Sequence, residues 1–418
     1  MSSISTGRGP VPFHRDRFTW VAYGALLAFG FLNAVLGPIL PYLRAVEHIS
    51  YLVGALHQLA YAMGGGAAGL LAHRDLLGRS TTIRLGLAGA ALAGLGVGFG
   101  DAAAITLPAT LLMGFLNTAA LIALWAALSD AHRARRAVAM TEGEVAVSLG
   151  GIVVPLLVAG LASTAATWRF AMVVGLAVVA VAVIGIGAVR VPERERGEAA
   201  GVSDAEEADG VGEAGKAGDR AGDSSLAEAP DAPPRRAGRA RRLQPLLAVV
   251  FCIVALEFGL NFWLASYLNV SVGLERGLAV ALVAALYGAN LAGRLVASRL
   301  ARRVEADRLL GFALLTAMLG LPILIAAHAV GPATLGFVIT GVGIGALFPL
   351  TSSLHVGRSP HGADAALGQV LIVAAFGQTF GPLAVAGLAQ VTSLRAGFLV
   401  LPALVLAAGA ALATAVRR

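Results

Sequence analysis

The chain has 418 residues, of which 57% are hydrophobic and only 13% are charged, and its mean hydropathy is +0.80. The charged share is about half that of a soluble globular domain, and a single soluble core stops growing at roughly 250–300 residues, so this composition excludes a soluble enzyme. The formal net charge of +7 is typical of basic cytoplasmic loops and indicates no nucleic-acid partner. Cys252 is the only cysteine, which excludes disulfides and cysteine-rich metal sites.

Hydrophobic runs bounded by charged or turn residues predict twelve membrane spans, each long enough to cross a bilayer. The first six lie at 18–43, 51–72, 81–100, 105–128, 141–163 and 168–189. The second six lie at 245–269, 277–297, 309–329, 332–354, 367–390 and 395–416. The fold class predicted is therefore an all-α membrane protein.

A polar segment separates the two sets of spans. Residues 191–244 are rich in Ala, Gly, Glu, Asp and Pro and contain no aromatic residue, a composition that cannot bury enough apolar surface to fold. The predicted organisation is thus a tail at 1–17, a six-helix bundle at 18–190, a flexible linker at 191–244, a second bundle at 245–416 and a tail at 417–418.

The basic residues predict the orientation. With the N-terminus inside, the cytoplasmic segments carry 26 Arg and Lys residues against 4 outside, and 16 against 4 when the linker is left out. Basic residues accumulate on the cytoplasmic side. We therefore expect a multi-pass protein of the plasma membrane, surrounded by lipid, with both termini cytoplasmic.

The two sets of spans also repeat in sequence. Residues 155–162 of span five match residues 382–389 of span eleven at seven of eight positions, and three other pairs occur in the same order at offsets of 224 to 228. One of these pairs aligns Leu32 and Asn33 with Leu260 and Asn261. Two parallel six-helix repeats related by an axis along the membrane normal are typical of transporters in which one half rocks against the other.

The segment after span two, Gly69-Leu-Leu-Ala-His-Arg-Asp-Leu-Leu-Gly-Arg79, resembles the signature G-x-L-a-D-r-x-G-R of the major facilitator superfamily. The second-half copy is Gly293-Arg294-Leu-Val-Ala-Ser-Arg299-Leu-Ala-Arg-Arg303. The resemblance implies the fold of two pseudo-symmetric six-helix bundles. It also implies an inner gate of Arg74, Asp75, Arg79, Arg294 and Arg299. His73 stands in the position of the signature's Asp, for which Asp75 is a substitute.

Within the superfamily, several stretches resemble sugar–proton symporters of the fucose, glucose and galactose type. They include Gly30-Phe-Leu-Asn33, Gly37-Pro-Ile-Leu-Pro41, and Glu257 followed by Trp263 and Tyr267. The acidic residues that those symporters carry in the first half correspond here to Asn33 and Asn117. Exporters instead share a Gly-x-x-x-Gly-Pro pattern, which span five lacks and span eleven has as Gly377, Gly381 and Pro382.

Glu257 is the strongest chemical signal, because it is the only acidic residue deep within a span. An intramembrane carboxylate costs at least ~2.5–3.5 kcal/mol and faces a cavity or a partner, so we predict a proton site, with a fixed structural ion pair as the alternative. His57 is a candidate relay partner, the alternative being a buried histidine with satisfied hydrogen bonds. Arg294 lies roughly 12 Å from Glu257 along the membrane normal, which predicts a gate or helix-end role without a direct pair.

Amides and aromatic rings supply the rest of the predicted binding site. Amides hydrogen-bond sugar hydroxyls, and rings stack on the C–H faces of a sugar. The predicted substrate residues are Asn33, Asn117, Trp125, Asn261, Trp263, Tyr267, Tyr287, Asn290 and Gln378. For each amide, hydrogen bonding between helices is the alternative. Glu142 and Glu144, at the inner start of span five, are either part of a gate network or solvated charges.

These features predict a monomeric secondary transporter that takes up a small polar, sugar-like solute with protons by alternating access. Proton-driven export of drugs or natural products is the alternative. No cofactor or metal is expected, and no enzymatic activity, since no phosphate-binding motif or nucleophile–base pair is recognisable.

Overall fold

The computed structural model describes residues 13–72, 77–132, 135–193, 235–301, 303–359 and 363–416. Within these ranges all the regular secondary structure is helical, without strands. The helices of the first half are α1 (Arg17–Ala34), α2 (Leu36–Glu47), α3 (Tyr51–Leu71), α4 (Arg79–Phe99), α5 (Ala103–Ala131), α6 (Arg136–Ala162) and α7 (Phe170–Gly187). Those of the second half are α8 (Arg235–Val270), α9 (Arg276–Leu300), α10 (Ala306–Ala326), α11 (Val330–Arg358), α12 (Ala363–Val391), α13 (Leu394–Gly397) and α14 (Val400–Val416).

The predicted all-α membrane fold is confirmed. Eleven of the predicted spans are helices long and apolar enough to cross a membrane, α1 with α2 and α13 with α14 each forming one of them. The twelfth, α3, is about 31 Å long, which is sufficient to cross. Its hydropathy is reduced by polar residues such as His57 and Gln58 and by the glycines at 64–66.

The first span is interrupted at Val35, between α1 and α2. Pro38 has no N–H to donate to the carbonyl of Ala34, so the helical ladder loses a bond at this point. The break lies close to mid-span, directly after Asn33. It allows α2 to approach α8 of the other half at a different angle from α1.

The second half begins earlier than predicted. Helix α8 starts at Arg235, ten residues before the expected start of span seven at 245, because Arg, Ala and Leu are strong helix formers and continue the helix outward from the span. Most of the predicted linker, residues 194–234, lies outside the described residues, as do most of the predicted N-terminal tail and the C-terminal tail.

Helix packing repeats between the halves. Helix α1 packs on α6 as α8 packs on α12, and α3 packs on α5 as α9 packs on α11. Likewise α4 contacts α5 and α7, whereas α10 contacts α11 and α14. Each second-half contact joins the spans numbered six higher than those of the corresponding first-half contact, as the sequence offsets predict.

Glycines produce the close approach at equivalent places. A Cβ added at Gly150 of α6 would lie 2.4 Å from the carbonyl oxygen of Leu27, and one added at Gly377 of α12 would lie 2.7 Å from that of Phe251. Gly377 follows Gly150 by 227 residues, within the offset of the repeat. Backbone-to-backbone contact through small residues is a common way to associate helices in lipid.

In each half, an ion pair joins neighbouring helices at the face of the termini, which is the side of the bundle where α1 begins and α14 ends. Arg79 of α4 contacts Asp130 of α5 at 2.7 Å, and Asp307 of α10 contacts Arg358 of α11. Both positions of the second pair follow the first by 228 residues, but the charges are exchanged. The repeat therefore preserves the attraction between two helix ends with its polarity reversed.

Candidate functional site

The two halves meet mainly along three pairs of helices: α3 with α12, α6 with α9, and α2 with α8. The repeat equates α3 with α9 and α6 with α12, so the first two pairs exchange under the pseudo-twofold axis. A site made by both halves must lie along these contacts.

Glu257 lies at this interface, and the structure brings it next to Arg294. Nη2 of Arg294 is 3.9 Å from Oε1 of Glu257, and Nη1 is 3.4 Å from Oε2 of Glu144. Glu144 belongs to α6 of the first half, whereas Glu257 and Arg294 belong to α8 and α9 of the second. One guanidinium therefore bridges carboxylates from both halves.

This contact corrects the predicted separation of Glu257 and Arg294. The estimate of roughly 12 Å compared backbone depths on straight, untilted helices. A long arginine side chain extends along its helix and removes that difference. Glu257 is mostly buried, with 16% of its side chain exposed, whereas Glu144 is 51% exposed.

Tyr287 of α9 lies beside this cluster and reaches across to α6. A Cβ added at Gly151 would lie 3.0 Å from Cδ1 of the Tyr287 ring, so the glycine makes room for the aromatic side chain. Tyr287 is partly exposed. The ring of Tyr287 therefore lies at the contact between α9 of the second half and α6 of the first.

Asn33 and Asn261 lie where the first span meets α8. A Cβ added at Gly37, one turn after Asn33, would lie 2.7 Å from the backbone carbonyl oxygen of Asn261. Both asparagines and Gln378 of α12 are half-buried. These three amides keep part of their surface accessible at the interface helices.

Two other predicted amides are buried within a single half. Asn117 is fully buried, and its Nδ2 donates to the hydroxyl of Tyr61 at 2.8 Å and to the carbonyl oxygen of Phe29 at 3.4 Å. Asn290 is 6% exposed and packs against Gly345 of α11. Asn117 thus bonds between helices, the alternative left open by the sequence, whereas Asn290 is buried in the second half with no partner for its Oδ1 among the described residues.

Two predicted aromatic residues are also interior. Nε1 of Trp263 donates to the carbonyl oxygen of Pro382 at 2.9 Å, and the hydroxyl of Tyr267 donates to that of Ile325 at 3.1 Å. Both side chains have no exposed surface. Both hydrogen bonds hold α8 against its own bundle. Trp125 of α5 is half-buried and packs over Gly143.

His57 is hydrogen-bonded inside the first half. Its Nε2 lies 2.9 Å from the hydroxyl of Thr106 and its Nδ1 lies 3.2 Å from the carbonyl oxygen of Val53. Thr106 in turn contacts Glu47 at 2.8 Å. Both ring nitrogens are thus engaged away from Glu257, which favours the satisfied-histidine alternative over a relay to Glu257.

Two of the predicted gate residues, Arg79 and Arg299, lie at the face of the termini. Nη1 of Arg79 donates to Asp130 and, at 2.9 Å, to the carbonyl oxygen of Pro192, which follows α7. Arg299 is exposed near the end of α9. Arg74 and Asp75 lie outside the described residues.

At the opposite face the halves are in direct contact. The guanidinium of Arg276 lies 5.3 Å from the ring centre of Tyr42, and that of Arg44 lies 6.0 Å from the ring of Trp263. The rings of Tyr51 and Trp263 are 5.7 Å apart. Cation–π and aromatic contacts therefore join the first half to the second at this face.

A groove of about 610 Å³ lies at the same face, away from Glu257. Its walls come from the ends of α2, α6 and α8 and from the start of α9, and include Tyr42, Asn269 and Arg276. The predicted substrate residues lie elsewhere. Among the described residues, no group of three His, Cys, Asp or Glu side chains is placed to hold a metal ion.

The sequence did not identify two residues of these networks and left the role of a third open. Glu144 was left between a gate and a solvated charge, and its contact with Arg294 supports the gate. Glu47 and Thr106 were not singled out, since each lies near a span end, where polar residues are common. The signal available was a carboxylate followed by a histidine in the next span, a pattern too general to identify a contact.

Comparison with known proteins agrees with this architecture. The family model of the Major Facilitator Superfamily matches residues 21–370. A bacterial homologue of the human lysosomal transporter Spinster, in an inward-facing and occupied conformation, is 14% identical, with 98% of each chain covered and a TM-score of 0.74.

Two further solved structures have the same fold. A D-xylose–proton symporter is 14% identical, with 94% of this chain and 96% of that chain covered and a TM-score of 0.71. The nucleoside transporter NupG is 11% identical, with coverage of 96% and 100% and a TM-score of 0.71. No curated protein matches the sequence significantly. The family model covers most of the chain, and the chain belongs to the major facilitator superfamily.

Proposed function

We propose that the protein takes up a small polar, sugar-like solute together with protons, by alternating access at a single site between its own two halves. Glu257 is the proposed proton site, and Arg294 connects it to the other half. The observation that carries the proposal is the Glu257–Arg294–Glu144 bridge, in which the carboxylates come from opposite halves.

The charge balance of this bridge explains how a proton could affect the halves. Two carboxylates face one guanidinium, so the cluster has a net negative charge when both are ionised. When Glu257 is protonated, Arg294 keeps a charged partner only in Glu144, across the interface. Proton binding therefore strengthens the ion pair between the halves relative to the pair within the second half.

The accessible polar groups suit a hydroxylated solute. Asn33, Asn261 and Gln378 each offer amide donors and acceptors, and Tyr287 adds a ring and a hydroxyl. Such groups fit the hydroxyls and the C–H face of a sugar. The solved relatives include a D-xylose–proton symporter and a nucleoside transporter, whose named substrates are likewise rich in hydroxyl groups.

Export of drugs or natural products is the second candidate, favoured by the complete Gly-x-x-x-Gly-Pro pattern of span eleven. However, a Cβ added at Gly381 would lie 1.9 Å from the carbonyl oxygen of Ala255. This part of the pattern therefore serves the packing of α12 on α8, which either direction of transport requires. For this reason we place uptake first.

We also propose that the protein lies in the plasma membrane with both termini cytoplasmic, on the basis of the excess of arginine at the face of the termini. In this orientation the contacts of Tyr42 with Arg276 and of Tyr51 with Trp263 close the extracellular face. Labelling of single cysteines in the terminal and opposite loops with an impermeant reagent tests this orientation.

The direction and the coupling can be tested in one series. A thermal-shift screen of sugars, nucleosides and drugs at two pH values identifies a ligand, since binding to the folded state raises its stability. Alkalinisation outside right-side-out cells on adding that ligand supports symport. A low intracellular content that rises when the proton gradient is collapsed supports export instead.

Glu257→Gln is the test of the proton site. We expect this variant to lose gradient-driven accumulation and to retain counterflow exchange, because exchange needs no net proton movement. Glu142→Gln is the matched control, since Glu142 lies two residues before Glu144 but bonds Arg15 and Tyr23 of the first half. Full uphill transport by Glu257→Gln would contradict the proposal.

A further inference from the structure

A second polar chain lies buried in the first half, near the face opposite the termini. The hydroxyl of Thr106 is 2.8 Å from Oε1 of Glu47 and 2.9 Å from Nε2 of His57. On the far side of the ring, Nδ1 of His57 is 3.2 Å from the carbonyl oxygen of Val53. Thr106 has no exposed surface and His57 is 1% exposed.

The hydrogen atoms in this chain can be assigned from its acceptors. The carbonyl of Val53 only accepts, so Nδ1 of His57 must carry a hydrogen. In a neutral imidazole Nε2 then accepts, and the single hydroxyl hydrogen of Thr106 points to it. Thr106 can in that case only accept from Glu47, so the carboxyl of Glu47 must hold a proton.

One other arrangement satisfies the same contacts. If His57 is doubly protonated, Nε2 donates to Thr106 and the hydroxyl of Thr106 donates to an ionised Glu47. The two arrangements differ only in where a single proton resides. A weaker contact from Thr106 to the carbonyl oxygen of Ala102, at 3.4 Å, is too long to compete with either.

From this geometry we propose that Glu47, Thr106 and His57 form a proton-holding relay, a proton-binding site separate from Glu257. The proton resides on Glu47 in this conformation. Oε2 of Glu47 is buried and has no hydrogen-bond partner among the described residues, and a buried oxygen without a donor favours the neutral acid over the anion. When the Thr106 hydrogen moves to Nε2 of His57 and the Glu47 hydrogen moves to the Thr106 oxygen, the proton passes to His57 and Glu47 is left ionised.

The other charged side chains near the relay already have partners, so the relay is the part of this network whose protonation can change. Asp101 is close enough to interact electrostatically with Glu47, but it is neutralised by Arg169 at 2.6 Å. Arg44 lies one turn before Glu47 and holds its guanidinium 3.8 Å from the ring centre of Tyr51.

This neighbourhood connects the relay to the contact between the halves, because Arg44 also approaches Trp263 of the second half. An ionised Glu47 would attract Arg44 along the helix surface, since residues three apart on a helix are neighbours. Loss of the relay proton therefore weakens the hold of Arg44 on the two aromatic rings at this face.

The full-length protein in lipid nanodiscs is the material for the test. Infrared spectroscopy at neutral pH should show a carboxylic-acid band that disappears in Glu47→Gln. In His57→Phe the hydroxyl of Thr106 is free to donate to ionised Glu47, a gain of one hydrogen bond, so the ratio of protonated to ionised Glu47 should fall about fivefold. Thr106→Ser keeps the hydroxyl and should leave the band unchanged.

Histidine-selective ¹⁵N NMR supplies a second readout that does not require a transport assay. The His57 signal, assigned by its loss in His57→Asn, should show a neutral ring with its hydrogen on Nδ1. A wild-type ring with the hydrogen on Nε2 alone, or a Glu47 band insensitive to His57→Phe, would overturn the relay. Glu257→Gln should leave the Glu47 band and the His57 signal unchanged, so failure of this proposal is distinct from failure of the proposed transport mechanism.

Discussion

Gly37→Ala is expected to separate the two halves at the face opposite the termini. The added Cβ would lie 2.7 Å from the carbonyl oxygen of Asn261 and 3.3 Å from Cα of Phe262. Both neighbours are backbone atoms of α8, so no side chain can rotate to relieve the first contact. The clash exists only while α2 and α8 are in contact, and a conformation with the halves apart at this face avoids it.

The size of the effect follows from the cost of overpacking, about 1–3 kcal/mol for an added methyl group in a packed site. A cost borne by one conformation alone shifts the equilibrium by its full amount, which corresponds to about fivefold to more than a hundredfold. Gly24→Ala is the matched control, because a Cβ at Gly24 of α1 meets no atom within 4 Å.

The assay is electron–electron distance measurement between spin labels at Val46 and Val270, which are exposed at the ends of α2 and α8. Cys252 is replaced by Ser in all variants to leave two labelling sites. Gly37→Ala should increase the population at longer distances, whereas Gly24→Ala should reproduce the parent distribution. Identical distributions for all three proteins would refute the inference that this contact holds the face closed.

Two further predictions concern stability. Glu275 accepts from the N–H groups of Gly277 and Leu278, which holds its pKa below the usual range. Its stabilisation is therefore present above the unfolded-state pKa and lost as the pH falls through the folded-state pKa; Glu275→Ala should cost about 0.5 kcal/mol in neutral unfolding assays and nothing in strong acid. Arg358→Asp should destabilise the second half, and Asp307→Arg in the same chain should restore part of the loss in denaturant unfolding, unless the ion pair contributes nothing.

The helices could be predicted from the sequence because a span is a property of composition. Apolar runs of about 20 residues have no alternative in lipid, and their number and order follow directly. The interruption at Val35 and the start of α8 at Arg235 could not be placed in this way. They depend on local hydrogen bonding and helix propensity, which a hydropathy window averages out.

The site was less predictable, because a helix that is apolar all round does not show which face meets its own bundle. Asn117 and Tyr267 have the residue types of a binding site, and their burial inside one half depends on helix rotation. Glu257 could be identified because an acidic residue at mid-span has few possible roles, namely a proton site or a structural ion pair. Its partner Arg294 was discounted because depth was measured along the backbone and not at the end of the side chain.

A search for identical residues at the repeat offset does not detect the two ion pairs with exchanged charges. The attraction between two helix ends is unchanged when the two charges exchange positions. The pair of Arg79 with Asp130 and the pair of Asp307 with Arg358 therefore have the same kind of mutual attraction, although the residue types at equivalent positions differ. The helix dipole distinguishes them. An acid in the first turn and a base in the last turn are each worth about 0.3–1 kcal/mol, which favours the second-half arrangement and opposes the first.

The first half compensates for this opposition through the segment after α7. Glu193 accepts from the backbone N–H of Arg79 at 3.1 Å, which places a carboxylate at the start of α4, and the Arg79 side chain bonds the carbonyl of Pro192. The reversed polarity therefore lets Arg79 bind both α5 and the segment that leads into residues 194–234. A positive side chain at this position joins three parts of the first half. An aspartate has acceptors only, so it could not bond a carbonyl oxygen or another carboxylate.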